Sequence, residues 1–427
     1  MVFDTIENEY PTEVNVKWYR NDELIISKDY EPNEVNYFFE QDVVAYNKII
    51  FTFKKMCKPY RYLRIYEIED GITREFYNDE IKNLRILEEL SPTTESLSMN
   101  TLDMEIITKN SVGVLFQRTL PIKLYRDESL IGSFFIESSE KESGNDYKIT
   151  ATDYIGILDG EKYIGGMFTD KNVGQIVAEI LGDIPYVIDS TLASRTITGY
   201  LEILNKRAAL QRVIFASGGI IDCSRSEYIE IKLLNNTITS HLDKSKVISV
   251  KERMESITTR IELVEHKYKR KWAEETLFDE RLKGETRIEF SSPYARLFFS
   301  DESPEEAEIV EWNANYAVIR SNGYTELLGF PYNDTTATKV KNNPLVVGTD
   351  IAKVKTFDST LTCNEINLID YLNFIDKKLT VTFHMNNNEK IGDLVEVLGQ
   401  KARIVSLEYE LNTPSIYATA EMEVCDS

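Results

Sequence analysis

Three histidines and four cysteines are the residues with which this chain of 427 amino acids could bind a metal ion or activate a nucleophile. His241, His266 and His384 show no HExxH or HxH spacing, and no GxSxG elbow supports a Ser-His-Asp triad, although a triad stays open. The cysteines form no CxxC pair and lie far apart, at Cys57, Cys223, Cys363 and Cys425. We therefore expect no catalytic residues, no metal site, no disulfide framework and no cofactor, and we interpret the cysteines as buried or incidental thiols of a protein that folds in a reducing cytoplasm.

The segment 151–189, ATDYIGILDGEKYIGGMFTDKNVGQIVAEILGDIPYVID, places aspartates and glycines in front of a helix, as phosphate-binding loops do. Its glycines fit neither GxGxxG nor GxxxxGKS/T. Asp170 would lie at the N-terminus of the helix and repel a phosphate there. We therefore interpret Asp159-Gly160 and Gly165-Gly166 as turns in which glycine supplies positive φ angles, and we expect no reaction at them.

Other charged stretches give weaker signals. Residues 67–71, EIEDG, resemble part of a calcium loop but lack the DxDxDG spacing and a later bidentate glutamate, so a simple turn is favoured. Among 71 Asp and Glu residues, a glycosidase pair cannot be recognised from sequence. A basic cluster consists of Lys267, Lys269, Arg270 and Lys271. It could bind an acidic partner, but the favoured interpretation is the exposed end of a strand or helix with charged side chains.

The composition excludes some classes of partner. A formal net charge of −22 argues against tight binding to nucleic acids or anionic membranes. The start, MVFDTIENEY, lacks the basic and apolar regions of a signal peptide, and no run of about 18 apolar residues could span a membrane. We expect any exit from the cell to occur by lysis or as part of an assembly.

Short strands are predicted over most of the chain, because apolar and polar residues alternate in many places. The clearest alternating stretches are residues 14–18, 49–53, 102–106, 131–138, 147–152, 405–411 and 416–424, the last two being joined by Asn412-Thr413-Pro414. Strands of this length and spacing are typical of a barrel or sandwich. The last two stretches, each with one apolar face, predict an antiparallel pair.

The region 153–235 has a different pattern, with two helices and a hairpin. The predicted caps are Thr169 or Asp170 and Gly182 for a helix at 173–181, and Asn205 and Gly218-Gly219 for the helix that follows. The hairpin pairs 220–223 with 228–233 around Ser224-Arg225-Ser226. One more helix is predicted at 366–375. The chain is therefore expected to be mainly β with an α+β insert.

Five motifs occur in an order and spacing that resemble the hub proteins of phage tails and of phage-tail-like bacteriocins, over roughly residues 60–427. They are LSMNTLDMEI at 97–106; GSFF at 132–135; ATDYIGILD at 151–159 with Gly165-Gly166; ITGYL at 197–201 with RAALQ at 207–211 and DCSRS at 222–226; and GDLVEV at 392–397.

The resemblance implies two barrel-like β domains of the tail-hub type, separated in sequence by the α+β insert. The expected domains are a small β domain at 1–80, a first barrel at 81–152, the insert at 153–245 and a second barrel with the C-terminal strands at 246–427. Three copies would form a ring whose two barrels per copy imitate sixfold symmetry. The implied location is a virion tail or an extracellular tail-like particle, assembled in the bacterial cytoplasm.

The partners implied by the resemblance are two further copies of the chain, the tail tube protein and the central spike, with the tape measure protein and other baseplate proteins as further candidates. The acidic charge would then suit a channel wall along which DNA slides without sticking.

Two other functions stay open at this stage. A hub-associated cell-wall hydrolase would need a catalytic set, and none is recognisable. A tail-tip protein that binds a glycan or receptor would need exposed aromatic residues in a groove, for which the tryptophans are Trp18, Trp272 and Trp312.

Overall fold

A computed structural model describes the chain as two compact units, 1–75 and 76–427. The residues it describes are 2–3, 7–35, 37, 39, 41, 43, 46–67, 75–90, 97–108, 121–126, 128–142, 144–254, 258–344, 346, 353–374, 377–386, 388–411 and 417–425. Most of them lie in strands, so the predicted mainly β fold is confirmed. Within these ranges, no helix has the length and apolar character to cross a membrane.

The first unit is a small β structure. Its strands are β1 (Val2–Phe3), β2 (Pro11–Arg20), β3 (Glu23–Tyr30), β4 (Lys48–Met56) and β5 (Ile65–Glu67). β2 lies between β3 and β4 in an antiparallel sheet, and β1 pairs with β5. The predicted alternation of Val14, Val16 and Trp18 places all three in the core, together with Tyr30.

The second unit begins with five strands, then alternates short helices and strands, and ends in longer strands. The first five are β6 (Ile81–Glu89), β7 (Thr101–Ile107), β8 (Pro121–Arg126), β9 (Ser129–Lys141) and β10 (Asp146–Thr152). The middle part contains α1 (Tyr154–Ile157), a 3-10 turn (Leu158–Gly160), β11 (Lys162–Tyr163), β12 (Gly166–Asn172), α2 (Val173–Leu181), β13 (Tyr186–Ile188), α3 (Ser190–Ser194), β14 (Thr196–Leu201), β15 (Leu204–Asn205), α4 (Lys206–Ser217), β16 (Ile220–Asp222) and β17 (Ile229–Lys232). The last part contains β18 (Ile238–Leu242), β19 (Val247–Met254), β20 (Thr258–Arg270), β21 (Glu275–Glu289), β22 (Tyr294–Phe299), β23 (Glu308–Trp312), β24 (Tyr316–Asn342), β25 (Lys353–Ser359), β26 (Leu361–Cys363), a 3-10 helix (Leu368–Tyr371), β27 (Lys377–His384), β28 (Leu394–Val397), β29 (Gln400–Glu410) and β30 (Tyr417–Val424).

One sheet of eleven described strands organises the second unit, in the order β19-β27-β30-β29-β6-β7-β10-β9-β8, with β28 paired to β29 and β18 paired to β28. Its buried face is a single apolar cluster drawn from both ends of the unit, including Ile86, Leu102, Ile149, Leu407 and Ala420. Alternation puts these side chains on one face because successive residues of a strand point to opposite sides. The predicted antiparallel pair at the C-terminus is observed as β29 and β30.

The insert has its own core, formed where α2 and α4 pack against the small sheets around them. The Asn205 side chain caps α4 as predicted, since its Oδ1 accepts a hydrogen bond of 2.8 Å from the Ala208 amide. Gly218 ends α4 with a φ of +71°, and Gly182 ends α2 with a φ of +59°. The predicted hairpin is the antiparallel pair of β16 and β17.

A second, six-stranded sheet is built on the 27-residue strand β24, which pairs with β20, β21, β22 and β23, while β25 lies beside β20. The described strands of residues 246–427 therefore divide among three sheets: β20 to β25 form this one, β19 and β27 to β30 join the large sheet, and β26 pairs with β14 of the insert.

Two local predictions are wrong. Asp170 and Thr169 do not cap α2, because β12 stays paired with β14 as far as Asn172, which is the residue at the cap position. In 366–374, the described part of the predicted helix, the helical structure is one 3-10 turn at Leu368–Tyr371, whose Leu368 and Ile369 reach the apolar cluster of β20 and β25. The predicted turns at Asp70-Gly71 and Asn412-Thr413-Pro414 lie outside the described residues.

Candidate functional site: a seam between two strand modules

The large sheet contains the same five-strand arrangement twice. Module A consists of β6 to β10, in the sheet order β6-β7-β10-β9-β8. Module B consists of β19 and β27 to β30, in the sheet order β19-β27-β30-β29-β28. In both, the first strand pairs with the second, the second with the fifth, the fifth with the fourth and the fourth with the third, always antiparallel. The two modules therefore have the same topology.

Local irregularities also repeat. The first strand of each module has a bulge at its second residue, Lys82 in β6 and Ile248 in β19. The fourth strand of each has a bulge against the fifth, at Glu137 in β9 and at Val405 in β29. In both modules two residues separate the end of the third strand from the start of the fourth, 127–128 and 398–399. Because bulges fix the register of a strand, they align the two modules residue by residue.

The modules meet at a seam formed by β6 of module A and β29 of module B. The strands are antiparallel, with Arg85 opposite Glu410 and Glu89 opposite Ser406. On the exposed face Arg85 donates a hydrogen bond of 2.6 Å to Glu408. On the buried face Glu88 and Tyr409 are 1% exposed each.

Arg225, from the turn between β16 and β17 of the insert, reaches the buried face of this seam. Its guanidinium pairs with the Glu88 carboxylate and lies 2.6 Å from the Tyr409 hydroxyl, which itself donates a 2.7 Å hydrogen bond to Glu88. It also donates to the carbonyl oxygens of Ile131 and Glu389, each at 3.3 Å. A single cation therefore connects the insert with both modules.

The electrostatics of this triad follow from its burial. Burial raises the pKa of the Glu88 carboxyl, and the positive charge of Arg225 counteracts part of that rise. Burial by itself lowers the pKa of Arg225, but the adjacent Glu88 carboxylate reverses this and leaves the pKa raised. Burial also raises the pKa of Tyr409 well above its ordinary value. A buried charge pair of this kind holds elements in one arrangement, and removing one partner leaves the other uncompensated.

The backbone of Arg225 is left-handed, with a φ of +59°. Asp222, three residues earlier, accepts hydrogen bonds of 2.8 Å and 2.6 Å from the amide and hydroxyl of Ser224, which shape this turn. The DCSRS motif at 222–226 therefore forms a turn that orients the Arg225 side chain toward the seam.

A second contact joins the insert to the segment that leads into β7, the second strand of module A. Asp153, which N-caps α1, accepts hydrogen bonds of 2.9 Å from the amides of Asn100 and Ile155. Burial raises the pKa of Asp153 to about 7. Cys223 is also buried, and burial raises the pKa of its thiol, which disfavours the reactive thiolate. From α4, the Arg207 Nε donates a hydrogen bond of 2.7 Å to the Leu97 carbonyl oxygen.

The Gly165-Gly166 turn is a place of close backbone approach. Gly165 has a φ of +62°, and a Cβ there would lie 2.2 Å from the Leu201 carbonyl oxygen. Asn315 donates hydrogen bonds to the carbonyl oxygens of Ile164 and, at 2.9 Å, Leu201. The predicted positive φ angles are thus observed at Gly165 and Gly166, which contact the loop between β23 and β24, but not at Gly160, which lies in a 3-10 turn.

The histidines lie in separate places. His241 is 2.9 Å from Glu396, whereas His384 packs against the Tyr417 ring. His266 bridges Asp334 at 2.6 Å and Asp358 at 3.0 Å, across β20, β24 and β25. Within the described ranges, no group of three or more His, Cys, Asp or Glu side chains has the geometry to hold a metal ion.

The basic cluster lies at the end of β20 and in the turn that follows. Its four side chains are exposed, in agreement with the interpretation as an exposed strand end. Arg270 lies 5.1 Å from the ring centroid of Trp272, which is 73% exposed. The EIEDG stretch lies largely outside the described residues.

Sequence reasoning missed Glu88 and Tyr409. In β6, Leu84, Ile86 and Glu88 alternate with more exposed residues, so Glu88 lies on the buried face of the strand. A carboxylate at a position where apolar residues are expected indicates a buried charge that has a partner. Tyr409 was part of a predicted apolar face, where its hydroxyl gave no separate signal.

The sequence matches no protein-family model and no curated protein. In structure, the tail protein of Neisseria meningitidis MC58 aligns with 81% of this chain and 92% of its own, at 8% sequence identity and a TM-score of 0.48. This chain is similar in structure to phage tail proteins. The prophage tail protein gp18 of Listeria monocytogenes EGD-e aligns with 82% of this chain and 90% of its own, at 11% identity and a TM-score of 0.47. The 43 kDa tail protein of prophage MuSo2 from Shewanella oneidensis aligns with 80% and 93%, at 9% identity and a TM-score of 0.43.

Proposed function

We propose that this chain is a structural subunit of a phage tail or tail-like particle: a baseplate hub whose trimer joins a sixfold tail tube to a trimeric spike. The observation that carries the proposal is the repeated module. One chain presents two strand sets of equal topology side by side, so three chains around an axis present six. A ring of three chains then offers six similar surfaces to a tube and three identical ones to a spike.

The seam supports the same role. A symmetry adaptor must hold its two modules at a fixed angle, because an error in that angle would multiply around the ring. Strand pairing between β6 and β29 fixes their register, and the Glu88–Arg225–Tyr409 triad locks the insert onto the pair. The buried charged residues at the seam therefore have an architectural role in this proposal.

The proposed partners are the tube protein, the spike protein, the tape measure protein and other baseplate proteins, and the proposed location is the tail of a particle assembled in the bacterial cytoplasm. We propose no catalytic step for this chain. Glu408, Glu410 and Glu421 lie on the exposed or half-buried side of β29 and β30, where an acidic channel wall would need them. The predicted channel wall itself stays a prediction.

The test is the copy number in native particles. We expect three copies per particle by quantitative mass spectrometry, and a density map with two modules per copy around the axis. Six copies around the axis, or absence of the chain from purified tails, would refute the hub. A zymogram on bacterial cell walls should show no clearing, since a cleared band would support the hydrolase instead.

A second candidate function is binding of a surface glycan, favoured by the exposed Trp272 ring and the Arg270 side chain beside it. Aromatic faces and cationic groups of this kind contact sugars and their anionic substituents. A glycan array should then show binding that Trp272→Ala removes and that the matched variant Trp312→Ala, at a tryptophan 43% exposed, retains.

A further inference from the structure

We propose that neighbouring copies join strand to strand, with β19 of one copy pairing antiparallel with the outer half of β9 in the next. This pairing would repeat between chains the contact that β6 and β29 make within a chain. The inference rests on the proposed ring of identical chains and specifies which residues close it.

The two modules have the same topology, but an edge that is paired in module B is unpaired at the equivalent place in module A. In module B, the edge of β29 opposite β30 is covered by β6 at residues 406–410. In module A, the corresponding edge belongs to β9, whose residues 137–141 are all exposed. In the part of the chain that the structure describes, that stretch pairs with β10 only, and β19 pairs with β27 only. Unpaired strand edges are templates for another chain.

The strand that would fill the open edge is identified by the same equivalence. β6 is the first strand of module A, and β19 is the first strand of module B. If module B of one copy lies next to module A of the following copy, β19 can pair with β9 between the two chains in the way that β6 pairs with β29 within one chain. The contact is heterologous, and heterologous contacts form a ring when the rotation between copies closes.

The bulges give the register of this pairing. Aligning Lys82 with Ile248 makes Lys251 the equivalent of Arg85, and aligning Glu137 with Val405 makes Glu142 the equivalent of Glu410. Since Arg85 stands opposite Glu410 at the seam, Lys251 should stand opposite Glu142 of the next copy.

The charges along both edges are complementary in that register. Three successive cross-chain positions combine opposite charges: Lys251 with Glu142, Glu252 with Lys141, and Arg253 with Glu140. All six residues are exposed. Directly opposed charges of opposite sign stabilise antiparallel strands, whereas like charges destabilise them. At the seam Arg85 makes its ion pair with Glu408, the diagonal neighbour two residues from the directly opposed Glu410, and the equivalent diagonal partner of Lys251 is Glu140.

Disulfide trapping tests the register in the purified full chain at low salt and high concentration. Lys251→Cys combined with Glu142→Cys should give interchain disulfides on mild oxidation, with a covalent trimer as the largest closed product on a non-reducing gel. The equivalent seam pair, Arg85→Cys with Glu410→Cys, is the positive control and should link within one chain. Lys251→Cys with Ser138→Cys is the off-register control, because four residues of strand separate Ser138 from Glu142, about 13 Å, beyond the reach of a disulfide.

A charge swap gives an independent readout. Lys251→Glu with Arg253→Glu, or Glu140→Lys with Glu142→Lys, should each weaken self-association by roughly tenfold or more in sedimentation experiments. Mixing the two variant proteins should restore a mixed complex, because the swapped edges are again complementary. The matched control, Lys162→Glu with Lys283→Glu, makes the same change in charge as Lys251→Glu with Arg253→Glu at exposed positions away from both edges, and should not alter association.

Absence of interchain links at Lys251 and Glu142, or equal linking in the off-register pair, overturns the proposed pairing. Particles that contain three copies without this link would leave the hub function standing and refute the pairing alone. If the linked trimers form but the chain is absent from purified tails, the strand pairing stands and the hub function is refuted.

Discussion

Replacing Arg225 should weaken the seam between the two modules far more than removing an exposed arginine from the same pair of strands. Arg225→Met keeps the length of the side chain and its Cβ, so the cost of the left-handed backbone at this position stays the same. What it removes is the cation that faces Glu88 and Tyr409.

The magnitude follows from burial. Arg225 is 12% exposed at its side chain and Glu88 is 1% exposed, so the variant leaves the Glu88 carboxyl in the core without its cation, although the Tyr409 hydrogen bond remains. Breaking one side of a buried ion pair costs about 3–5 kcal/mol. The matched control is Arg85→Met, whose ion pair with Glu408 joins the same two strands on the exposed face, with side chains 47% and 41% exposed. Its loss should cost at most about 1 kcal/mol.

A double-mutant cycle separates the charge from the packing. Glu88→Gln removes the carboxylate, so the double variant Glu88→Gln with Arg225→Met should be more stable than Arg225→Met alone. The destabilisation in the single variant should also grow as the pH rises above the ordinary pKa of a glutamate. With no cation nearby, the folded state keeps Glu88 protonated while the unfolded chain releases the proton.

Hydrogen exchange at increasing urea concentration is the suitable assay, because the chain has two compact units and exchange reports each strand separately. The amides of β6 and β29 should lose protection in Arg225→Met, while those of β2 in the first unit should not change. Equal effects of Arg225→Met and Arg85→Met would refute the reasoning, as would a double variant no more stable than the single one.

Two further predictions concern the insert. Burial raises the pKa of Asp153 to about 7 from an ordinary 3.8, so between these pH values the folded state holds a proton that the unfolded chain has lost, and stability falls as pH rises until it levels off above about 7. Relative to wild type, Asp153→Asn should therefore be most destabilised near pH 4. In urea denaturation, the difference in free energy of unfolding between wild type and variant should shrink by about 1.4 kcal/mol per pH unit up to about pH 7. A difference that does not change with pH would contradict this prediction. Gly165→Ala should destabilise the insert more than Gly182→Ala in the same assay, since both glycines have a φ near +60° but only Gly165 would place a Cβ against a backbone carbonyl. We expect about 1–3 kcal/mol for the backbone conformation alone at Gly182, and equal losses at the two positions would rule out the steric argument.

Local chemistry made a large part of the fold predictable. Alternation identified the strands of the C-terminal pair, because one face of each is apolar over many residues. Asn205 and Gly218 delimited α4, since an N-cap acceptor and a left-handed glycine act within one turn of chain. The prediction failed at 366–375, where a helical period was present but a tertiary apolar cluster needed only one turn.

The seam was beyond such reasoning. Its members, Glu88, Arg225 and Tyr409, are separated by more than a hundred residues from one another, with 137 between Glu88 and Arg225 and 184 between Arg225 and Tyr409. Their chemistry appears only when the insert folds back onto the sheet.

The sequence by itself determined which segments are strands and helices, where several of them end, and which faces are apolar, because these depend on neighbours along the chain. Only the tertiary structure decided that residues 81–152 and the C-terminal strands share one sheet, that the strand order repeats, and which edges remain open. The physical reason is that strand pairing joins backbone groups irrespective of side-chain identity, so partners distant in sequence are selected by the packing of the whole sheet rather than by any local pattern.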